Sequence, residues 1–201
     1  MTIIAFISQK GGVGKSTLTQ ALAIEAQKQK IKVLLADCDS QQATSYEWSK
    51  IKDKVPCQVF NSVKGVWPLS NKYDLMIIDG PARTSQGTLE IAQHANLIIQ
   101  PTGVVSRADL IPAVKEFNAL KKAKIDQRKL LFVLTRLSTL AEAEAAKEYC
   151  QRSGYNYSPI VLYEKASYRQ AQNEGKSIGE VSYKTLRKQA KDLVNSLLKY
   201  L

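Results

Sequence analysis

The residues best suited to chemistry lie near the start of the chain, in Lys10-Gly11-Gly12-Val13-Gly14-Lys15-Ser16-Thr17. A glycine-rich backbone can turn successive N–H groups toward an anion. A lysine at its end can reach terminal phosphates, and the hydroxyl that follows can enter the shell of a hard cation. That combination is chemistry for ATP with Mg²⁺. Lys15 would touch the β- and γ-phosphates, Ser16 the metal, and Thr17 the neighbourhood of the α-phosphate. In the pattern Gly-x-x-x-x-Gly-Lys-Ser/Thr the first glycine would fall on Gln9, so the chain departs from the pattern there. An ordinary glycine turn is the plain alternative, but it would need neither the Lys-Ser-Thr ending nor the apolar run just before it.

Three carboxylates at the ends of two apolar runs complete the list. Asp37 and Asp39 close the run Leu34-Leu35-Ala36, and Asp79 closes Leu75-Met76-Ile77-Ile78. Carboxylates at the ends of parallel strands face the ligand crevice, where one can orient an attacking water and others can support the metal shell. The simpler reading makes Asp37 and Asp39 capping or turn carboxylates. His94 falls at the end of an expected helix, which suits a C-terminal cap. Cys38, Cys57 and Cys150 are odd in number and lack paired spacing, so neither a disulfide framework nor a zinc site is expected. Their use fits a reducing cytoplasm.

These residues need elements to hold them. Residues 2–8 are apolar and β-branched, as a strand buried on both faces must be. From Ser16 to Gln29 the pattern turns helical, with Leu18, Leu22 and Ala26 on one face. Further apolar runs at 31–36, 74–79, 95–100 and 130–135 alternate with helical patterns near 42–51, 86–94, 106–124 and 139–151. A weaker strand is expected at 157–162, a short helix at 165–173 and a closing helix at 182–200. The alternation predicts an α/β fold: a doubly wound, mostly parallel sheet flanked by helices, in one domain that uses residues 1–201.

Composition is that of an ordinary globular protein, with 44% hydrophobic and 23% charged residues and no low-complexity segment. No run approaches the ~20 apolar residues of a membrane span, and the first apolar run leads straight into the glycine-rich loop, so no signal peptide is expected. The balance of 29 Lys and Arg against 18 Asp and Glu gives a net charge of +11, which favours polyanionic partners.

Lys10-Gly-Gly-Val-Gly-Lys-Ser-Thr17 resembles the deviant Walker A box of the ParA/MinD ATPases, which carry a second lysine at its start. Asp37-Cys38-Asp39-Ser40-Gln41 resembles that family's Asp-x-Asp-Pro-Gln segment, switch I. Asp79-Gly80-Pro81-Ala82-Arg83 resembles its Walker B aspartate and switch II, where many members read Asp-x-Pro-Pro. The resemblance implies a P-loop NTPase fold of the deviant Walker A type, an ATP and Mg²⁺ site, and a weak, partner-stimulated ATPase. It implies Lys10, Lys15 and Asp39 as catalytic residues, with Asp39 positioning water, and Ser16, Asp37 and Asp79 around the metal. Nucleotide contacts would come from Lys10 through Thr17 and, on the adenine side, from Thr135 and Arg136, where many relatives carry asparagine. It also implies an ATP-sandwiched homodimer in which Lys10 reaches the nucleotide of the facing subunit.

Because the loop begins so near the start, the resemblance is to the small, ParF-like ParA proteins without an N-terminal helix-turn-helix. These imply non-specific DNA binding by the ATP dimer, a nucleoid-associated cytoplasmic location, and a ParB-like centromere-binding partner or cargo adaptor. Arg107, Lys165, Arg169, Lys184, Arg187 and Lys188 are the candidate DNA contacts, and a solvated helical face is their plain alternative. Two rivals remain. The amphipathic segment Lys184–Leu201 would suit a MinD-like membrane ATPase, though its stripe is no wider than a core-facing helix needs. A P-loop metabolic synthetase would need a second substrate pocket that the sequence does not display.

Overall fold

Apolar runs without a polar face need cover on both sides, and the fold supplies it in three layers. The computed structural model describes residues 1–81, 85–102 and 107–200. Its strands are β1 (Thr2–Phe6), β2 (Val33–Asp37), β3 (Cys57–Val59), β4 (Leu75–Asp79), β5 (Leu97–Thr102), β6 (Leu130–Leu134) and β7 (Asn156–Tyr157). They form one sheet in the order β3-β2-β4-β1-β5-β6-β7, and all pairings are parallel. The register of β4 with β1 and β2 sets Asp79 beside Phe6 on one side and Asp37 on the other.

Alternate residues of each strand serve different cores. Ile4, Phe6, Leu35 and Ile77 face α1 (Lys15–Lys28), α2 (Thr44–Lys52), α6 (Ala166–Asn173) and α7 (Lys184–Leu198). Ile3, Ala5, Leu34, Met76 and Phe132 face α3 (Ser85–His94), α4 (Arg107–Lys122) and α5 (Leu140–Ser153). The leucine stripe of α7 is core: Ala190, Leu193, Val194 and Leu197 are buried in the α1 layer. No described helix is long and apolar enough to cross a membrane.

The doubly wound layout is as the sequence indicates, with two differences. β3 is a three-residue edge strand followed by 3-10 turns at Val63–Gly65 and Trp67–Lys72, too short and irregular to leave a periodic pattern. β7 covers only Asn156–Tyr157 rather than 157–162. The next N–H that would face β6, that of Ile160, bonds Ser158 Oγ at 3.2 Å instead, so the ladder breaks after the bond from Ser158 N to Phe132 O and resumes from Leu162 N to Leu134 O. Ala82 and Arg83 of the expected switch II and the side chain of Arg107 lie outside the described residues.

Candidate functional site

The glycine-rich loop leaves β1 and turns directly into α1, as phosphate binding requires. Gly12 and Gly14 take φ of 74° and 98°, a left-handed backbone that would strain any other residue. Gly14 is the N-cap of α1 and offers no side-chain acceptor, so the first N–H groups of the helix are left for a ligand at its positive end. Lys15 is buried, and Ser16 and Thr17 are half-buried. All three line a cavity of about 390 Å³, together with Asp37, Asp39, Asp79 and Gly80. Gly80 is sterically required, because a Cβ there would lie 2.6 Å from the Phe6 carbonyl oxygen.

The carboxylates divide the work. Asp37 is fully buried, and its two oxygens accept backbone N–H bonds from Asp39 (3.1 Å), Ser45 (2.9 Å) and Tyr46 (3.1 Å). It therefore shapes the turn and the start of α2 while lining the cavity, which is the capping role. Burial still raises its pKa above the ordinary carboxylate value despite those three bonds. Asp39 is more open. Its Oδ1 accepts only the Gln42 N–H, at 3.3 Å, which leaves the carboxylate facing the cavity.

Asp79 is pushed up to about 6, first by burial and then by the charge of Asp37, against the Ser45 and Ser16 hydroxyls and Lys15. Ser45 Oγ donates to Asp79 Oδ2 at 2.7 Å, while Oδ1 is buried without a hydrogen-bond partner. A buried carboxylate oxygen without a donor, beside a hydroxyl at the mouth of a phosphate cradle, is satisfied by the water shell of a hard divalent cation. The residues thus fit Mg²⁺ carried with the nucleotide, held by Ser16 and supported by Asp79. Among the described residues no group of three or more His, Cys, Asp or Glu side chains could hold a metal ion. The cysteines are not candidates, since burial pushes all three thiols up to about 12.

Lys10 is placed differently from Lys15. It does not line the large cavity but lies on the other side of the loop, half exposed, in an ion pair with Asp109 in the first turn of α4. Behind it, α4 presents a buried glutamate to the loop. Glu116 Oε2 accepts a 2.6 Å bond from Gln100 Nε2 while its Oε1 is buried without a hydrogen-bond partner among the described residues, and burial, opposed by the nearby Gln9 N–H, pushes it up to about 7. Glu116 is not legible in the sequence, because a glutamate inside a helix gives no sign of facing inward.

The side of the cavity around Thr135 and Arg136 is also richer than the sequence suggests. Thr135 Oγ1 donates to the Val13 carbonyl at 2.7 Å, so this hydroxyl braces the loop from behind. Arg136 bonds the Gly12 carbonyl and pairs with Glu164 at 2.8 Å. Both residues line the cavity, but much of its remaining wall comes from Leu162–Lys165 and from Tyr168, Arg169 and Gln172 of α6. Gln172 ties α6 to α1 by accepting from Thr17 Oγ1 (3.1 Å) and donating to Gln20 (2.9 Å). Lys165 and Arg169, expected on a DNA face, instead line this cavity, and Arg169 pairs with Glu164. Lys188 of α7 pairs with Asp192, whereas Lys184 and Arg187 have no ion pair among the described residues. His94 sits at the end of α3 against the Glu90 carbonyl and stacks on Trp67, a structural position.

Residues 4–178 match the family model described as the CobQ/CobB/MinD/ParA nucleotide binding domain. The chain belongs to this family. Its fold is similar to that of the MinD cell division protein of Aquifex aeolicus, with a TM-score of 0.75 and 19% identity over 99% of this chain and 98% of the other. It is similar also to apo McdA of Cyanothece, with a TM-score of 0.74 and 22% identity over 98% and 99% of the two chains. A proposed plasmid partition protein of Borrelia burgdorferi B31, bound to AMPPNP, gives a TM-score of 0.72 and 18% identity over 100% and 99%. A short match of 56% identity over 48 residues joins the chain to an uncharacterized protein of Borreliella burgdorferi, covering 24% of this chain and 19% of that relative.

Proposed function

We propose that the chain is a ParA-type ATPase for plasmid or other cargo positioning, in which ATP drives a sandwich dimer that grips DNA without sequence preference. Hydrolysis, slow alone and stimulated by a ParB-like partner or cargo adaptor, would release it. The observation that carries this reading is the contrast between the two loop lysines. Lys15 is buried in its own cavity, whereas Lys10 extends from the loop outside that cavity, where a facing subunit's nucleotide could be reached. Fold similarity to a proposed plasmid partition protein and to McdA supports the class of role.

The parts would then act as follows. Backbone N–H groups of Gly11 through Lys15 hold the phosphates, and Lys15 neutralises the terminal ones. Mg²⁺ bound with the nucleotide would supply charge neutralisation at the transferring phosphate. Ser16 and Asp79 would hold its shell, and Asp39 would hold the attacking water in line. A MinD-like membrane reading has less support, because the α7 stripe that would enter the lipid is packed in the core.

The test combines sedimentation with binding to long duplex DNA of arbitrary sequence. Wild type with ATP should dimerise and stay on DNA at least tenfold longer than with ADP. Lys15→Ala should lose nucleotide binding, and Lys10→Ala should bind ATP yet remain monomeric. An ATP-loaded Lys10→Ala protein that dimerises like wild type would sink the reading.

A further inference from the structure

The charge of +11 is unevenly placed, and the topology shows where it goes. Because all strands are parallel, the segments entering them lie at one end of the sheet, opposite the phosphate loop. Lys30 and Lys32 precede β2, Lys72 precedes β4, and Lys121, Lys122 and Lys124 lead from α4 toward β6. Backbone bonds hold these segments together: Asp74 N donates to Lys32 O, and Thr2 N to Asp74 O. Lys129 Nζ donates to the carbonyl of Ala95, joining the approach to β6 to the approach to β5.

All six lysines are exposed, and none has an ion pair among the described residues. Of the acids at this end, Asp53 just after α2 is exposed with no ion pair among the described residues, and four others are engaged. Glu25 pairs with Lys28, Asp126 with Arg128, Asp74 accepts the Lys32 N–H, and Glu90 accepts from Trp67. Helix C-termini favour lysines by their dipole, which accounts for Lys30, Lys121, Lys122 and Lys124 at the ends of α1 and α4 but not for Lys32 or Lys72. The crevice end sets the carboxylates Asp37, Asp39, Asp79 and Glu164 against the cations Lys15, Arg136, Lys165 and Arg169, so its charges balance there, whereas the six lysines stand without ion pairs.

We propose that this end face, opposite the nucleotide, is the DNA-contacting surface of the protein. The inference rests on the reading of the chain as a DNA-gripping ATPase. From β2 to β6 the sheet crosses four strand intervals, or about 19 Å at the usual ~4.8 Å spacing. That is enough for lysines at its two sides to meet phosphates flanking a major groove about 12 Å wide. A lipid surface is the poorer fit. The exposed large apolar side chains among the described residues at this end, Met1, Ile51 and Tyr200, come from three separate segments rather than one amphipathic stripe, and charge without insertion gives weak anchoring.

The placement changes what ATP does. A dimer closed over its nucleotides turns its two crevices inward and its two lysine faces outward. Each protomer then has only a weak grip of its own, alike in either nucleotide state, and hydrolysis releases the DNA by splitting the pair. ATP raises retention by joining two grips on separate DNA segments, a gain in valency and not in the grip itself.

The test measures binding to a short duplex and to a dense layer of long DNA, with ATP and with ADP, across a salt series. Lys121→Glu/Lys122→Glu/Lys124→Glu and Lys30→Glu/Lys32→Glu are compared with Lys184→Glu/Arg187→Glu, and ATP binding and unfolding midpoints are recorded for each. Both end-face variants should fold, bind ATP and bind DNA at least tenfold more weakly. The triple variant should flatten the log–log salt slope by about 2–3, at about 0.9 for each phosphate it no longer neutralises. The α7 variant should bind as wild type. Short-duplex affinity should be alike with ATP and ADP, and only the dense layer should show ATP-dependent retention. If the α7 variant loses binding while both end-face variants keep it, the inference falls and the ATPase reading stands. Wild type that binds no DNA in any state removes both. Phosphatidylserine vesicles are run in parallel, and end-face variants that keep DNA binding but lose vesicle binding assign the face to a membrane and overturn the proposal.

Discussion

Replacing Glu116 by glutamine is expected to stabilise the nucleotide-free protein above neutral pH and to change little near pH 4. Glu116 is 4% exposed, packed against the loop, and burial raises its pKa from 4.5 to about 7. The folded state therefore holds this proton more tightly than the unfolded chain does. Stability from this group is greatest below its unfolded pKa and falls as pH rises from 4.5 through about 7. At about 1.4 kcal/mol per tenfold, the full displacement is worth about 3 kcal/mol above that window. Glutamine keeps the shape and removes the charge. Its carbonyl can accept the Gln9 N–H, and its amide can donate to Gln100 Oε1, which now lacks a partner, once the Gln100 amide turns over. Thermal unfolding of both proteins at pH 4 and pH 8 reads the effect directly. The variant should gain about 6–12 °C at the higher pH, from roughly 2–4 °C per kcal/mol in a chain of this size, and almost nothing at the lower. An equal or lower melting temperature for Glu116→Gln at pH 8 would show that the ionised carboxylate is well satisfied behind the loop, and the reasoning from burial would be wrong.

Ser45→Ala removes the hydroxyl that bonds Asp79 and lies 3.2 Å from Thr19 Oγ1, leaving a second buried Asp79 oxygen unpaired. A loss of about 1–3 kcal/mol in urea unfolding is expected, and an unchanged midpoint would contradict it. Thr135→Val removes the brace on the Val13 carbonyl and should weaken ATP by about 2–10-fold in a fluorescent-nucleotide titration, while Thr135→Ser restores it. Equal affinity for the valine variant would show that the loop needs no brace. Gly80→Ala sets a Cβ against the Phe6 carbonyl and should cost about 1–3 kcal/mol by the same unfolding measurement, whereas a neutral effect would mean that β1 and β4 part easily.

The sheet, the phosphate loop and the family resemblance are legible in the residues themselves, because each is a local signal. A strand buried on both faces must be apolar throughout, as Ile3–Phe6 and Leu75–Ile78 are. A left-handed backbone around a phosphate demands glycine, as at Gly12 and Gly14. The carboxylates Asp37 and Asp79 are legible for a related reason, since strand ends in such sheets face the crevice. Their different tasks are not. Only the approach of α2 gives Asp37 two backbone donors and leaves Asp79 one oxygen without any.

Partners that cross the fold come from packing and from nothing local. Ser45, Glu116 and Gln172 carry no motif, and each acts because a distant helix lays it against the loop or Asp79. Packing also moves Lys165 and Arg169 from an expected DNA surface to the nucleotide cavity, and gathers lysines from separate segments onto the opposite end. Side-chain type is written in sequence, but the neighbours that bury, pair or leave a charge bare are set by parallel strands that bring together segments far apart in the chain.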